Sequence, residues 1–349
     1  MDDPDSLRTN HDTMLNPSHF HLPLVRLNLV SPLLDQLQRR GVNAGPVLAE
    51  HSLTAADIDN PELFVTAPSM YRLVEALAEA SGDAHFGFRV GEQLDPFSWS
   101  PLKSAVEDSL SLGGTLLRFM ENAPLDESSV SYTLTVSGGR VTFRERRFTD
   151  GGILPRHNDG FTVAYLVTII HRAMSHDWDG ARVIAHVCDP AVIPRGNKGI
   201  KVAQQDSMGA SISFPSTWLL HSMSTDSARE ASGSASTKAS PETSIVLAFR
   251  QAIRSHLHEF DLDTSRAAEI CGVTKRTLSR KLQAKGTTIL KELESMREEK
   301  ATAALRETDR SIRAVANMVG YENPVVFSRA FKRWHGMTPS QYRIEQDAP

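Results

Sequence analysis

The chain has 349 residues but only two cysteines, Cys188 and Cys271, too few for a disulfide framework. Both read as reduced core residues of a cytosolic protein. No apolar run approaches the ~20 residues that a bilayer span needs, so no membrane partner is expected. The opening residues, MDDPDSLRTNHDTMLNP, are acidic and polar, and 1–19 reads as a disordered tail and not as a signal peptide. Catalytic motifs are missing too. There is no G-x-S-x-G elbow, P-loop, G-x-G-x-x-G or H-E-x-x-H pattern. Ser100-Pro101-Leu102-Lys103 fits S-x-x-K but lacks the motifs that accompany it in enzymes. His19, His21, His256 and His258 have no Cys or Asp partner at metal-ligand spacing, and His171 and His186 read as core residues. Neither an enzyme nor a bound metal or cofactor is expected.

What the chain does have is a repeat near its C-terminus. Thr264–Gly286 reads TSRAAEICGVTKRTLSRKLQAKG, and Ile312–Gly336 reads IRAVANMVGYENPVVFSRAFKRWHG. In each copy a small residue, Ala268 or Ala316, stands four places before a glycine, Gly272 or Gly320. Two helices that cross closely need that small residue, and the turn between them needs a backbone tolerant of positive φ. A second helix then begins behind a capping residue, Thr274 in one copy and Asn323 followed by Pro324 in the other. Leu278 and Leu282, like Phe327 and Phe331, are spaced to pack inward. Two related units in one segment make helix-turn-helix pairs at 264–285 and 311–335.

The outward faces suggest what the units bind. Thr274–Lys285 holds five basic residues and no acidic one. Lys275, Arg276, Ser279, Arg280 and Gln283 share one face, and Asn323, Val325, Ser328, Arg329, Lys332 and Arg333 share the other. Arginines and short polar groups on one helix face suit base edges in a major groove. The alternative is that these charges only solvate a helix surface; the duplication argues against it. Between the units, Thr287–Leu305 lacks Gly and Pro. A helix of about 19 residues spans roughly 28 Å, close to the ~34 Å of one duplex turn, so the units can reach successive grooves. Charge is segregated accordingly. Residues 241–349 carry 18 Lys and Arg against 14 Asp and Glu, a net +4; the whole-chain −4 leaves −8 for residues 1–240.

At this point the segment from about Ile245 to Arg343 resembles the DNA-binding domain of AraC/XylS-type bacterial transcription regulators. Gly320–Arg343, GYENPVVFSRAFKRWHGMTPSQYR, carries that family's Gly-aromatic start, its Phe-Ser-Arg-x-Phe-Lys run, a second Gly and the closing Thr-Pro-x-x-Tyr-Arg. Met296-Arg297, Lys300-Ala301 and Leu305 follow its linker-helix pattern. Leu282 departs from it, where the family often has an aromatic residue. The resemblance implies that Arg276, Ser279, Arg280, Val325, Ser328 and Arg329 face double-stranded DNA. It further implies an activator answering to a small-molecule effector, with an RNA polymerase contact, a homodimer as one arrangement, and a cytoplasmic, nucleoid-associated location.

Ahead of this domain the reading is α+β. Leu24–Arg40 has helical spacing up to Gly41; Pro46–His51 and Thr54–Ile58 are short helices, and Ser69–Ser81 is an amphipathic one. Helices are also expected at Leu102–Ser109 and Thr115–Glu121, with Gly113-Gly114 separating them. Val130–Val136 alternates into a hairpin with Val141 and Phe143. Phe161–Ser175 is a strongly apolar helix, and strands are expected at Arg182–Cys188 and Ala210–Phe214. Ser211–Leu220 resembles the end of the effector domain in the branch of the family with an α+β domain of about 200 residues. Ser222–Ser244 is rich in Ser, Ala and Thr and too polar to order itself. The whole is a multidomain chain: an α+β N-terminal effector domain at 20–221, a flexible linker at 222–243, and an all-α DNA-binding domain at 244–345 whose helix-turn-helix units are joined by a long helix. A loose linker favours altered dimerisation or domain docking over rigid transmission. The hairpin and the apolar helix are where a pocket is expected, with Arg146, His157 or Arg172 as polar anchors. Two other readings stay open: an N-terminal domain that only dimerises or binds protein, and an architectural DNA binder with little sequence preference.

Overall fold

The computed structural model describes residues 22–95, 109, 111–223 and 245–346. The tail at 1–19, Ser100–Lys103, nearly all of the helix expected at 102–109 and the linker beyond residue 223 lie outside the described residues.

The N-terminal body runs β1 (Leu24–Arg26), α1 (Ser31–Arg39), α2 (Gly45–Glu50), α3 (Ala55–Ile58), β2 (Phe64–Thr66), α4 (Ala67–Ser81), α5 (Phe86–Gln93), α6 (Leu112–Asn122), β3 (Val130–Ser137), β4 (Arg140–Arg147), α7 (Arg156–Met174), β5 (Ile184–Val187), β6 (Lys201–Gln204) and β7 (Ser211–Pro215). The regular elements described in the C-terminal body are all helices: α8 (Ile245–Arg254), α9 (Thr264–Ile270), α10 (Lys275–Gln283), α11 (Ile289–Glu307), α12 (Ile312–Met318), α13 (Pro324–His335) and α14 (Pro339–Gln346). The chain is α+β followed by all-α.

A five-stranded sheet in the order β3-β4-β7-β5-β6 backs the first body. Its pairs are antiparallel except β5 with β6. Strand alternation decides which side chains go inward. On β4, Val141, Phe143, Glu145 and Arg147 are buried while Arg144 and Arg146 are exposed. Helix α7 packs against this sheet, buried along most of its length. Its other side meets α5 very closely. A Cβ on Gly87 would lie 2.1 Å from the His157 carbonyl oxygen, and one on Gly91 would lie 2.5 Å from that of Phe161. Two glycines one helical turn apart therefore let the α5 backbone press onto α7.

The structure corrects several sequence expectations. The first element is not one helix from Leu24: residues 24–26 form a strand paired with Phe64–Thr66, and α1 begins only at Ser31 with Pro32 in its first turn. Leu24, Val25 and Arg26 are all buried, a pattern that helical spacing cannot distinguish from a short covered strand. Strands β2 and β6 are too short to stand out in the sequence. Gly113 and Gly114 do not break a helix but lie in the first turn of α6, where Ser111 Oγ accepts the Gly114 N–H at 3.2 Å.

The C-terminal body has two cores that share one helix. Ile289, Leu293 and Met296 of α11 belong with the first unit, and Ala301, Ala304 and Leu305 with the second. The first core extends beyond the C-terminal body. Leu22, Leu24 and Phe64 join it alongside Phe249 and Ile253, and Gln251 Nε2 donates to the Ser52 carbonyl at 2.9 Å. The two bodies are thus docked through the first helix-turn-helix unit.

Gly320 fixes the second unit in place. Its φ is +76°, and a Cβ there would meet the carbonyl oxygens of Leu257 at 2.7 Å and Glu259 at 2.8 Å. Gly320→Ala is expected to cost about 1–3 kcal/mol, read as a lower urea midpoint; an unchanged midpoint counts against this packing role.

Candidate DNA interface and effector pocket

Both outer helices are anchored in the same way. Thr274 Oγ1 accepts the Thr277 N–H at 3.2 Å at the start of α10, and Asn323 Oδ1 accepts the Val325 N–H at 2.8 Å at the start of α13. Leu278, Leu282, Phe327 and Phe331 are fully buried, so the opposite faces turn to solvent. Lys275, Arg276, Arg280 and Gln283 are exposed there, with Ser279 half-buried among them. On α13, Val325, Arg329, Lys332 and Arg333 are exposed and Ser328 is half-buried. Among the described residues, Lys275, Arg276, Arg280, Arg329 and Lys332 have no carboxylate within ion-pair distance. These cations are free to meet phosphates or guanine edges.

Three of the expected contact residues are engaged by the protein itself. The Asn323 oxygen is taken by its own helix, leaving only the amide NH2. Ser328 Oγ donates to the Pro324 carbonyl at 2.8 Å. Arg333 Nη2 pairs with Glu294 Oε1 of α11 at 2.6 Å, bracing α13 against the connecting helix. Val325 is 58% exposed, unusual for a valine and suited to a thymine methyl.

The N-terminal body contains a cavity of about 60 Å³ between the hairpin and α7, several times what one water needs. None of the three expected anchors lines it. Arg146 points to the outer face of β4, because alternation turns it away while Glu145 and Arg147 turn inward. His157 is buried under α5, where its Nδ1 accepts the Gly87 N–H at 3.3 Å; burial, then the nearby Arg156 charge, push it down to about 4. Arg172, near the other end of α7, pairs with Asp95 at 3.0 Å.

The polar groups that do line the cavity were missed in the sequence. Glu127 and Glu145 face it, with Tyr132, Tyr165, Asn158 and Thr162. Glu145 Oε2 accepts the Thr162 hydroxyl at 3.2 Å, while Arg147 Nη2 lies 3.1 Å from Oε1. The Tyr132 hydroxyl donates to Glu127 Oε1. Burial, and then the neighbouring Glu145 charge, push the Glu127 carboxyl up to about 8; burial raises Glu145 as well, against the opposing charge of Arg147. One sequence cue was available. RVTFRERR continues the Val141–Phe143 alternation to Glu145 and Arg147, placing charge on the buried face of a strand.

Two family models match this chain. One, described as a helix-turn-helix domain, matches residues 267–344. The other, the arabinose-binding domain of AraC transcription regulators, matches residues 41–189. The chain belongs to the AraC family of transcription regulators. It is 29% identical over 153 residues to the transcriptional activator NphR of Rhodococcus sp, covering 43% of this chain and 45% of that one. It therefore spans less than half the length of NphR. The ornithine utilization regulator of Pseudomonas aeruginosa is 21% identical over 337 residues, 95% of this chain and 99% of that one. The crystal structure of the regulator CdpR from Pseudomonas aeruginosa aligns at 19% identity and a TM-score of 0.38, over 91% of this chain and 98% of that chain. Residues 267–344 are thus a helix-turn-helix domain. Among the described residues no helix is long and apolar enough to cross a membrane.

Glu127 makes stability depend on pH with a definite sign. Its folded pKa lies above the unfolded value of 4.5, so the folded state keeps a proton that the unfolded chain loses, and stability falls as pH rises from about 4.5 to 8. His157 has the opposite sign, losing stability below its unfolded 6.5. Between pH 6.5 and 8, wild type is therefore expected to lose stability relative to Glu127→Gln; urea unfolding at several pH values checks this, and parallel profiles refute it.

Proposed function

We propose that the chain is an effector-responsive transcription activator whose two outer helices, α10 and α13, read successive major grooves on one side of the duplex. The observation that carries this reading is the pair of solvent-facing basic helix surfaces joined by the 19-residue helix α11. Such a helix is about 28 Å long, comparable to one turn of DNA. On this reading Arg280 and Arg329 contact bases, Arg276 and Val325 flank them, and Lys275 and Lys332 serve phosphates. Asn323 and Arg333 hold α13 in position.

The N-terminal body, residues 22–221, is the effector unit in this reading, and the cavity beside the hairpin is its binding site. That cavity favours an effector over a domain that only dimerises. Coupling runs through the docked faces: Phe64 sits in the core of the first helix-turn-helix unit, one short strand from Val25 on the cavity wall. An effector that shifts β1 would alter how the first unit is held, and hence the spacing of α10 and α13 on DNA. NphR is named a transcriptional activator, which supports the activator reading and, with it, an RNA polymerase contact. A homodimer on paired half-sites fits the same scheme.

Arg280→Ala and Arg329→Ala are each expected to weaken binding to the cognate site by about 1–3 kcal/mol and to relax base choice in one half of it. Lys275→Ala should instead weaken binding across all sequences and reduce the salt dependence. Titration of labelled duplexes at two salt concentrations reads both effects; wild-type affinity and base choice in both arginine variants would refute the assignment.

A further inference from the structure

The cavity identifies a class of ligand through its wall chemistry. Among the described residues, two carboxylates, Glu127 and Glu145, line it, and no Lys, Arg or His does. Four aromatic rings share the wall with aliphatic side chains such as Leu29, Leu33 and Met70. Tyr132 and Phe119 meet edge to face at 4.9 Å between centroids, Phe119 and Tyr165 lie at 6.0 Å, and Phe161 and Tyr165 at 5.6 Å. Ring faces carry negative quadrupole potential, and aromatic walls beside carboxylates recognise ammonium groups. Among the described residues, a carboxylate or phosphate ligand would find no positive partner on this wall and two negative ones.

The surrounding charges have the same net sign. Arg147 is the cation nearest the carboxylates, and it stands behind Glu145, shared with Asp159 at 2.6 Å. Glu145 is 4% exposed, yet its Oε1 accepts no hydrogen bond despite the nearby guanidinium. Asp126, next to Glu127, is paired with Arg26 at 2.7 Å. Among the described residues no Lys, Arg or His lies within ion-pair distance of Glu127. With all groups ionised, Glu127, Glu145 and Asp159 face one arginine. Among the described residues, the cavity wall carries no cation.

We propose that this cavity binds a small organic cation, a protonated amine or quaternary ammonium, held between the carboxylates of Glu127 and Glu145 and the rings of Phe119, Tyr132, Phe161 and Tyr165. The proposal rests on reading the N-terminal body as the effector unit and names the ligand class for it. Since Glu127 keeps its proton at neutral pH in the empty cavity, a bound cation favours the carboxylate and drives that proton into solvent. Binding is therefore coupled to proton release.

The test uses the full chain and three probes of one size: n-butylammonium chloride, n-butanol and sodium butyrate, at equal ionic strength. The expected result is that butylammonium alone raises the Tm, and that calorimetry at pH 7 in two buffers of different ionisation enthalpy shows proton release. Glu127→Gln should weaken the response at least tenfold and abolish the release. Phe161→Leu, which leaves every charge in place, should weaken it as well. Stabilisation by butyrate or butanol equal to that by butylammonium overturns the cation class while leaving the effector reading intact. So does a wild-type response to butylammonium in both variants. Silence from all three probes, together with mass spectrometry of denatured protein showing no carried small molecule, overturns the proposal and the effector reading together.

Discussion

One buried guanidinium organises the N-terminal body. Arg147, on the inner face of β4, pairs with Asp159 of α7 and with Glu145 of its own strand. It also donates to the Ser207 carbonyl at 3.1 Å and lies over the Tyr71 ring of α4. Asp159 in turn accepts the Cys188 N–H at 2.7 Å, which brings in the end of β5. Sheet, central helix and α4 are thus joined at one charge. Removing one partner from such a buried pair leaves the other uncompensated and costs about 3–5 kcal/mol. The network also sets the chemistry of the cavity. The register that buries Arg147 necessarily turns Glu145, two residues earlier, toward the same face, and the guanidinium behind it does not neutralise Glu127 as well.

The C-terminal body solves a different problem. Each helix-turn-helix unit is too small to bury a large core of its own, and each completes its core on a different half of α11. One helix in two cores makes the separation of α10 and α13 a property of a rigid rod. The close approach of Gly320 to the 257–259 loop ties the second unit back to the first. The docked N-terminal body touches the first unit alone among the described contacts that close its core, so the two units are held asymmetrically.

The sequence made the C-terminal half legible because its signals are local and redundant. Glycine turns, capping residues, inward leucines or phenylalanines and outward arginines recur twice, and the structure places Ala268, Gly272, Ala316 and Gly320 where those local rules need them. The N-terminal half was legible in its longer elements only. Strands of three or four residues, such as Leu24–Arg26 and Lys201–Gln204, carry too few residues for a period to show. Arg146, His157 and Arg172 stand out in the sequence as isolated polar groups in apolar surroundings, but strand alternation turns Arg146 outward, the Gly87 N–H engages His157 and Asp95 pairs with Arg172, so none of them lines the cavity.

The sequence by itself determined the class of protein: a duplicated helix-turn-helix with basic outer faces, a connecting helix of fitting length, and a separate α+β unit ahead of it. Local chemistry suffices for that, because caps, turns and helix faces depend on residues within a few positions of one another. Only the tertiary structure decided where the cavity lies, that it is acidic and aromatic, and that the two bodies share a core through Leu22, Leu24 and Phe64. Those properties arise from residues far apart in the chain whose meeting is set by sheet register and helix packing, and no period in the sequence records it.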